Sequence, residues 1–135
     1  MHSAGPISAD WTLWNAWSPG EIARRLAGVQ APWYVAAGWA IDLFLGGQWR
    51  AHEDLEIAVP FARFSEIVRA LPDIEFYVPV GDDEGGKAWP LAEACHLMDE
   101  FHQTWGRETS TGHWRVDVFR EPSDDQTWIF RRDER

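Results

Sequence analysis

Asp54 and Glu56 are the residues whose spacing first implies chemistry. Around them Leu55, Ile57 and Val59 alternate with Asp54, Glu56 and Ala58, so the two-residue period of a strand turns both carboxylates to one face. Two neighbouring acids on a half-buried strand repel each other. A divalent cation between them removes the repulsion, and hard oxygen ligands of this kind suit Mg²⁺. The plainer reading is the solvated face of an amphipathic strand, and for a bare acid pair it is the commoner one.

The residues upstream shift that balance. Trp33 to Pro60 reads as a strand running into Gly38, a short helix from Trp39 to about Leu45, a glycine-rich turn and then the acidic strand. Gly38 lets the backbone approach a phosphate closely, and the helix start offers free amides and partial positive charge. An anion site is thereby expected just before a metal site.

Further along, Trp114-Arg115-Val116-Asp117-Val118-Phe119 is a strand with Trp114, Val116 and Val118 on one face and Arg115, Asp117 and Phe119 on the other. Asp117 is expensive to bury alone, so it needs a hydrogen-bond donor, a cation or a metal. A salt bridge to Arg115 or another arginine would also satisfy it.

The stretch AGWAIDLFLGGQWRAHEDLEIAV resembles the core of the nucleotidyltransferase superfamily related to DNA polymerase beta, in its aminoglycoside 2''-nucleotidyltransferase-like and lincosamide nucleotidyltransferase-like branch. There a Gly-Gly-Trp-Ala-Ile-Asp turn and helix precedes a His-Asp-Asp-x-Asp strand. The corresponding residues are Ala37, Gly38, Trp39, Ala40, Ile41 and Asp42, then His52, Glu53, Asp54, Leu55 and Glu56. Ala37 and Glu56 depart from the pattern. Mg²⁺ demands short, near-octahedral contacts, so a glutamate in place of aspartate implies weaker activity. The segment Trp128 to Asp133 resembles a Trp-x-Phe-Arg-Arg-Asp stretch of small proteins in this branch, and an edge strand would explain it equally well.

The resemblance implies a Mg²⁺-dependent transfer of AMP, or another nucleoside monophosphate, from ATP or another nucleoside triphosphate to a hydroxyl of a small molecule such as an aminoglycoside-like antibiotic. It implies two Mg²⁺ ions on Asp54, Glu56 and Asp117, with Asp117 taking the hydroxyl proton. Gly38 and Trp39 would give backbone amides to the phosphates, and Arg50 and His52 positive charge. Members of the branch commonly continue into further helices, so the acceptor pocket is expected to be open, completed by a second subunit as a homodimer, or absent. The competing expectation is a non-catalytic nucleotidyltransferase-fold module that binds a ligand or a protein.

Composition narrows the partners. The chain of 135 residues carries a net charge of −10, which disfavours a nucleic-acid backbone and suits a cationic small molecule or a nucleotide arriving with its metal, although solubility alone would explain the acidity equally well. Cys95 is the single cysteine, so a disulfide within the chain and a cysteine-built zinc site are excluded. The N-terminus lacks the basic and apolar regions of a signal peptide, and Asp42 breaks the longest apolar run, so a cytoplasmic, membrane-free protein is expected.

The remaining elements follow from pattern. Residues 1–9 read as a loose leader. Trp11, Trp14 and Trp17 recur as one face of a helical turn. Ser18-Pro19-Gly20-Glu21 is a helix start whose stripe is Ile22, Leu26 and Val29, with Gly28 able to end it. Phe61, Phe64, Ile67, Val68 and Leu71 give a second amphipathic helix. Ile74 to Val80 is a strand, residues 81–86 a polar turn, and residues 90–101 stay ambiguous. His102 to Glu108 and Trp114 to Phe119 form a hairpin through Thr109-Ser110-Thr111-Gly112. The expected fold is one α/β domain of the α+β kind over residues 1–135, a mixed, mostly antiparallel sheet flanked by helices on one side with an N-terminal helical segment.

Overall fold

The alternation of apolar and polar residues becomes strand wherever the turn chemistry allows it. The computed structural model describes residues 5–36, 54–81, 86–94 and 97–122. Within them lie strands β1 (Ile7–Ser8), β2 (Tyr34–Ala36), β3 (Glu56–Pro60), β4 (Ile74–Val80), β5 (Lys87–Pro90), β6 (Gln103–Glu108) and β7 (Trp114–Glu121). They form one seven-stranded sheet in the order β1-β5-β4-β6-β7-β3-β2. Only β3 and β7 pair in parallel; the other five pairings are antiparallel. This is the mixed, mostly antiparallel α+β sheet expected.

Two helices cover one side. Helix α1 (Pro19–Arg25) starts where Ser18 caps it, its hydroxyl accepting from the Glu21 amide at 3.1 Å, and Glu21 in the first turn with Arg24 and Arg25 in the last complements the helix dipole. A 3₁₀ turn over Phe61–Arg63 runs into helix α2 (Phe64–Ala70). Ile22, Leu26, Phe64, Ile67 and Leu71 bury their stripes against Leu55, Ile57, Val59, Val116 and Val118. That is the main core, and it fills the sheet face opposite to the acids. No helix among the described residues is long and apolar enough to cross a membrane.

The hairpin holds one irregularity that decides the site. Glu108 and His113 close its turn, the Glu108 amide donating to the His113 carbonyl at 2.9 Å, and Gly112 takes φ +77°, where a Cβ would be strained. Arg107 pairs with Trp114, but Gly106 pairs with Val116. Arg115 is thus an extra residue on β7, a β-bulge, and everything beyond it is shifted by one.

The bulge corrects one expectation. Trp114 does not share a face with Val116 and Val118; those two lie in the helix-side core, whereas Trp114 joins Ala9, Tyr77, Ala88 and Trp105 in a second cluster. The tryptophans near the N-terminus divide likewise. Trp14 packs edge-on against Trp105 at 5.3 Å, Trp17 lies in the helix-side core, and only a 3₁₀ turn over Trp11–Leu13 precedes them.

Within the segment expected as a loose leader, residues 7–9 are held in place. Ile7 and Ser8 pair with Ala88 and Lys87, the Ala9 amide donates to the Gly86 carbonyl at 3.2 Å, and Ala9 is buried. Edge pairing and an apolar anchor hold this segment.

Candidate functional site

Asp54, Glu56 and Asp117 line one cleft of about 210 Å³ on the sheet face left bare by the helices. Strand alternation explains the first two: with Leu55 and Ile57 fully buried in the core, Glu56 must point the other way. The parallel ladder explains the third. Glu56 and Asp117 are register partners, and partners directly across a ladder share a face. The three acids form a gradient of burial, from exposed Asp54 through half-buried Glu56 to Asp117, which is only 3% exposed.

Asp117 is the abnormal member. Gln103 donates from Nε2 to its Oδ2 at 3.1 Å, and its buried Oδ1 has no hydrogen-bond partner. Burial first, then the negative charges of Glu56 and Asp54, push its pKa well above the usual aspartate range. The Thr104 backbone and the Trp105 side chain pull it back in part, without closing a hydrogen bond to Oδ1. Arg115, the neutralising partner conceivable from sequence, is engaged elsewhere: its Nη2 and Nε bind Glu108 Oε1 at 2.9 and 3.2 Å, and its Nη1 the Asn15 carbonyl at 2.7 Å.

The donor set fits a hard divalent cation. All three groups are carboxylates, and an orphaned buried oxygen is the kind of atom whose cost a metal removes. Among the described residues no three His, Cys, Asp or Glu side chains are gathered closely enough to constitute a finished metal cluster. The acids share a cleft without closing on a centre, and three like charges have no reason to close without a cation.

The walls of the cleft were not legible from sequence. Trp105, Gln103 and Ala9 line it beside the acids. Trp105 stands directly across from Asp117 on β6, and its ring meets Trp14 and Trp114 edge-on, at 5.3 Å in each case. Counting back from the Glu108–His113 closure without a bulge would put Thr104 opposite Asp117. The bulge puts Trp105 there instead and brings Gln103, two residues away, to the same face.

A wider groove of about 500 Å³ lies on the helix side, lined by Arg25, Gly28, Val29, Gln30, Glu66, Arg69 and Ala70. It is distant in kind from the acid cleft. Arg25 is held by Glu21 and Asp73, and Glu66 by Arg63 and the Ala31 amide. The acid cleft, with its unpartnered oxygen, is the better candidate.

Gly38, Trp39, Arg50 and His52, the expected phosphate-binding residues, lie outside the described residues, as does the Trp128–Asp133 stretch. The site is thus seen from its carboxylate side.

A mixed sheet with one parallel pair, covered on one side by two helices and presenting carboxylates on the other, is consistent with an α+β nucleotidyltransferase-like fold. Residues 20–81, just under half of the chain, match the family model described as Aminoglycoside-2''-adenylyltransferase, a family of the nucleotidyltransferase superfamily. The resemblance carried by the Gly38 and Asp54 motifs is borne out over that span, and the match indicates nucleotidyltransferase activity. It includes Asp54 and Glu56 and ends before Asp117. No curated protein and no solved structure matches the chain.

Proposed function

We propose that this protein is a Mg²⁺-dependent nucleotidyltransferase that moves AMP, or another nucleoside monophosphate, from a nucleoside triphosphate to a hydroxyl of a small, cationic molecule of the aminoglycoside kind. The observation that carries the reading is Asp117: a buried carboxylate with one unpartnered oxygen, in register with Glu56, inside an acid-lined cleft. The family match over residues 20–81 supports it.

Asp54, Glu56 and Asp117 would hold the metal, two ions in the full reaction. Bound there, Mg²⁺ supplies neutralisation of the triphosphate and acidification of the attacking hydroxyl. The chain's own residues do the rest. The acceptor oxygen forms a bond to the α-phosphorus, the bond from that phosphorus to the β-phosphate's bridging oxygen breaks, and pyrophosphate leaves. Asp117 would take the hydroxyl proton by its proximity to the acceptor oxygen, more than by an altered pKa. Gly38 and Trp39 amides, with Arg50 and His52, hold the phosphates. The acidic cleft and the chain's net charge of −10 attract a cationic acceptor.

A second reading, a non-catalytic module of the same fold, is favoured by one observation: Glu56 stands where the family pattern has the second metal aspartate. Calorimetric titration of ATP with and without Mg²⁺, on the parent and on Asp54→Ala and Asp117→Ala, separates the two. A transferase binds ATP more tightly with the metal and loses that gain in both variants, and then releases pyrophosphate in an acceptor screen. Binding indifferent to metal and acids leaves the module.

A further inference from the structure

Asp117 has two oxygens in different situations. Oδ2 accepts from Gln103 Nε2 at 3.1 Å, while Oδ1 is buried and unpartnered. Gln103 is the first residue of β6, an exposed side chain at the rim of the cleft. A glutamine there could simply be solvated, but the amide is spent on the most buried acid of the site.

The placement of Gln103 is fixed from both sides of the sheet. On its own face, the Gly106/Arg107 register shift turns Gln103 and Trp105 toward the acids; without the extra residue, Thr104 would face Asp117. From the other face Arg120, which is fully buried, donates to Thr104 Oγ1 at 2.6 Å and to the carbonyls of Met98 at 2.9 Å and Phe101. Those carbonyls belong to the turn that delivers the chain into Gln103. The Arg120 amide also donates to the His102 carbonyl at 2.9 Å. The backbone carrying the amide is therefore pinned immediately before and immediately after it.

We propose that Gln103 is a positioning residue for the metal: by occupying Oδ2 of Asp117 it stops the carboxylate from rotating and leaves Oδ1 as the single oxygen offered to a divalent cation. This rests on the reading of the cleft as a metal site and extends it. One-oxygen ligation suits a small cation that demands near-octahedral geometry, since a bidentate carboxylate spans too small an angle for an octahedral edge. Hydrogen-bonded partners of ligating carboxylates set ligand orientation in the same way, and removing them costs about 10- to 100-fold in metal affinity.

The test uses Mn²⁺ as the probe, titrated into the purified full chain and followed by the loss of its free electron-paramagnetic-resonance signal. Gln103→Met keeps the length of the side chain and removes the donor; Gln103→Leu is the second variant, and thermal midpoints of the metal-free proteins establish that each is folded. The expected result is Mn²⁺ affinity about 10- to 100-fold weaker in both variants, with midpoints close to the parent's. Parent-like Mn²⁺ affinity in a folded Gln103→Met protein, with Asp117→Asn weakened, overturns the role of Gln103 and leaves the metal site standing. A parent that binds no Mn²⁺, or binds it as well after Asp117→Asn, overturns the metal reading and the proposal with it.

Discussion

Glu56 and Asp117 stand directly across the parallel pair β3 and β7, so that two carboxylates from strands far apart in the chain share a face and a cleft. Their proximity raises the proton affinity of the more buried one, on top of the effect of burial itself. In the metal-free protein the two acids are a source of instability.

Asp117→Asn should therefore stabilise the metal-free protein at neutral pH while abolishing Mg²⁺-dependent nucleotide binding. The carboxylate's pKa is raised on folding, so its favourable contribution is complete below its unfolded value and is lost as pH rises through the folded value. An amide keeps the shape and removes the charge. The expected gain is on the order of 1–3 kcal/mol, the usual cost of a poorly satisfied buried polar group, read by urea denaturation at neutral pH in the presence of a chelator. The gain should shrink as pH falls. A destabilised Asn variant would mean that Asp117 is satisfied by a group not recognised in this cleft.

Glu108 lies on the same hairpin and titrates in the opposite sense. Arg115 and then Thr111 hold its carboxyl below the usual glutamate range, through bonds of 2.9 and 2.8 Å. A lowered folded pKa contributes stability above the unfolded value and loses it as pH falls through the folded one. Glu108→Gln should cost about 1–2 kcal/mol at neutral pH, between the values of exposed and buried pairs. The difference from the parent should fade below the ordinary glutamate range. Denaturation curves of parent, Glu108→Gln and Asp117→Asn across pH 3 to 8 should show the two variants diverging in sign.

Much of this fold can be read from residue pattern, and the exceptions share one cause. Ile74 to Val80, the Ser18 cap, the Phe61 to Leu71 helix and the Thr109 to Gly112 turn all depend on signals within a few residues, and each is where the pattern puts it. The two acids of β3 are legible for the same reason. What pattern could not yield is register. An extra residue at Arg115 is invisible in an alternation that continues smoothly through WRVDVF, yet it moves Trp114 to the other cluster and selects Trp105 and Gln103 for the cleft. Nor does any local signal reveal that Ile7 and Ser8 would find β5 as a partner.

Gly106 marks the register shift, and its lack of a side chain is required by its neighbours. A Cβ there would sit 2.7 Å from Ile74 Cγ2, 3.1 Å from Val116 Cγ1 and 3.2 Å from Phe76 Cε1. All three are core atoms with little room to retreat. Gly106→Ala should thus destabilise the protein by about 1–3 kcal/mol through overpacking, measured as a lowered denaturation midpoint. Val116→Ala in the same protein should relieve part of the strain, giving a double-mutant cycle with a favourable coupling. Purely additive losses would place the strain elsewhere.

Arg120 carries the last prediction, because it is a buried cation whose hydrogen bonds go to neutral oxygens. Burial lowers its pKa to about 10, opposed by the charges of Asp99 and Asp117, so it remains charged at neutral pH. Its guanidinium satisfies Thr104 and the Met98 and Phe101 carbonyls and lies over the rings of Phe61 at 5.3 Å and Phe64 at 5.7 Å. Lysine cannot reproduce a planar fork that reaches several acceptors and stacks on aromatics. Arg120→Lys should cost about 2–4 kcal/mol, the loss of one or two charged hydrogen bonds with their acceptors left buried. Because the same bonds hold the turn leading into Gln103, a folded Arg120→Lys protein should also bind Mn²⁺ less tightly. Loss of stability with parent-like Mn²⁺ affinity would show that Arg120 supports the core alone and that the Asp117 side of the cleft is held by β6 and β7 without it.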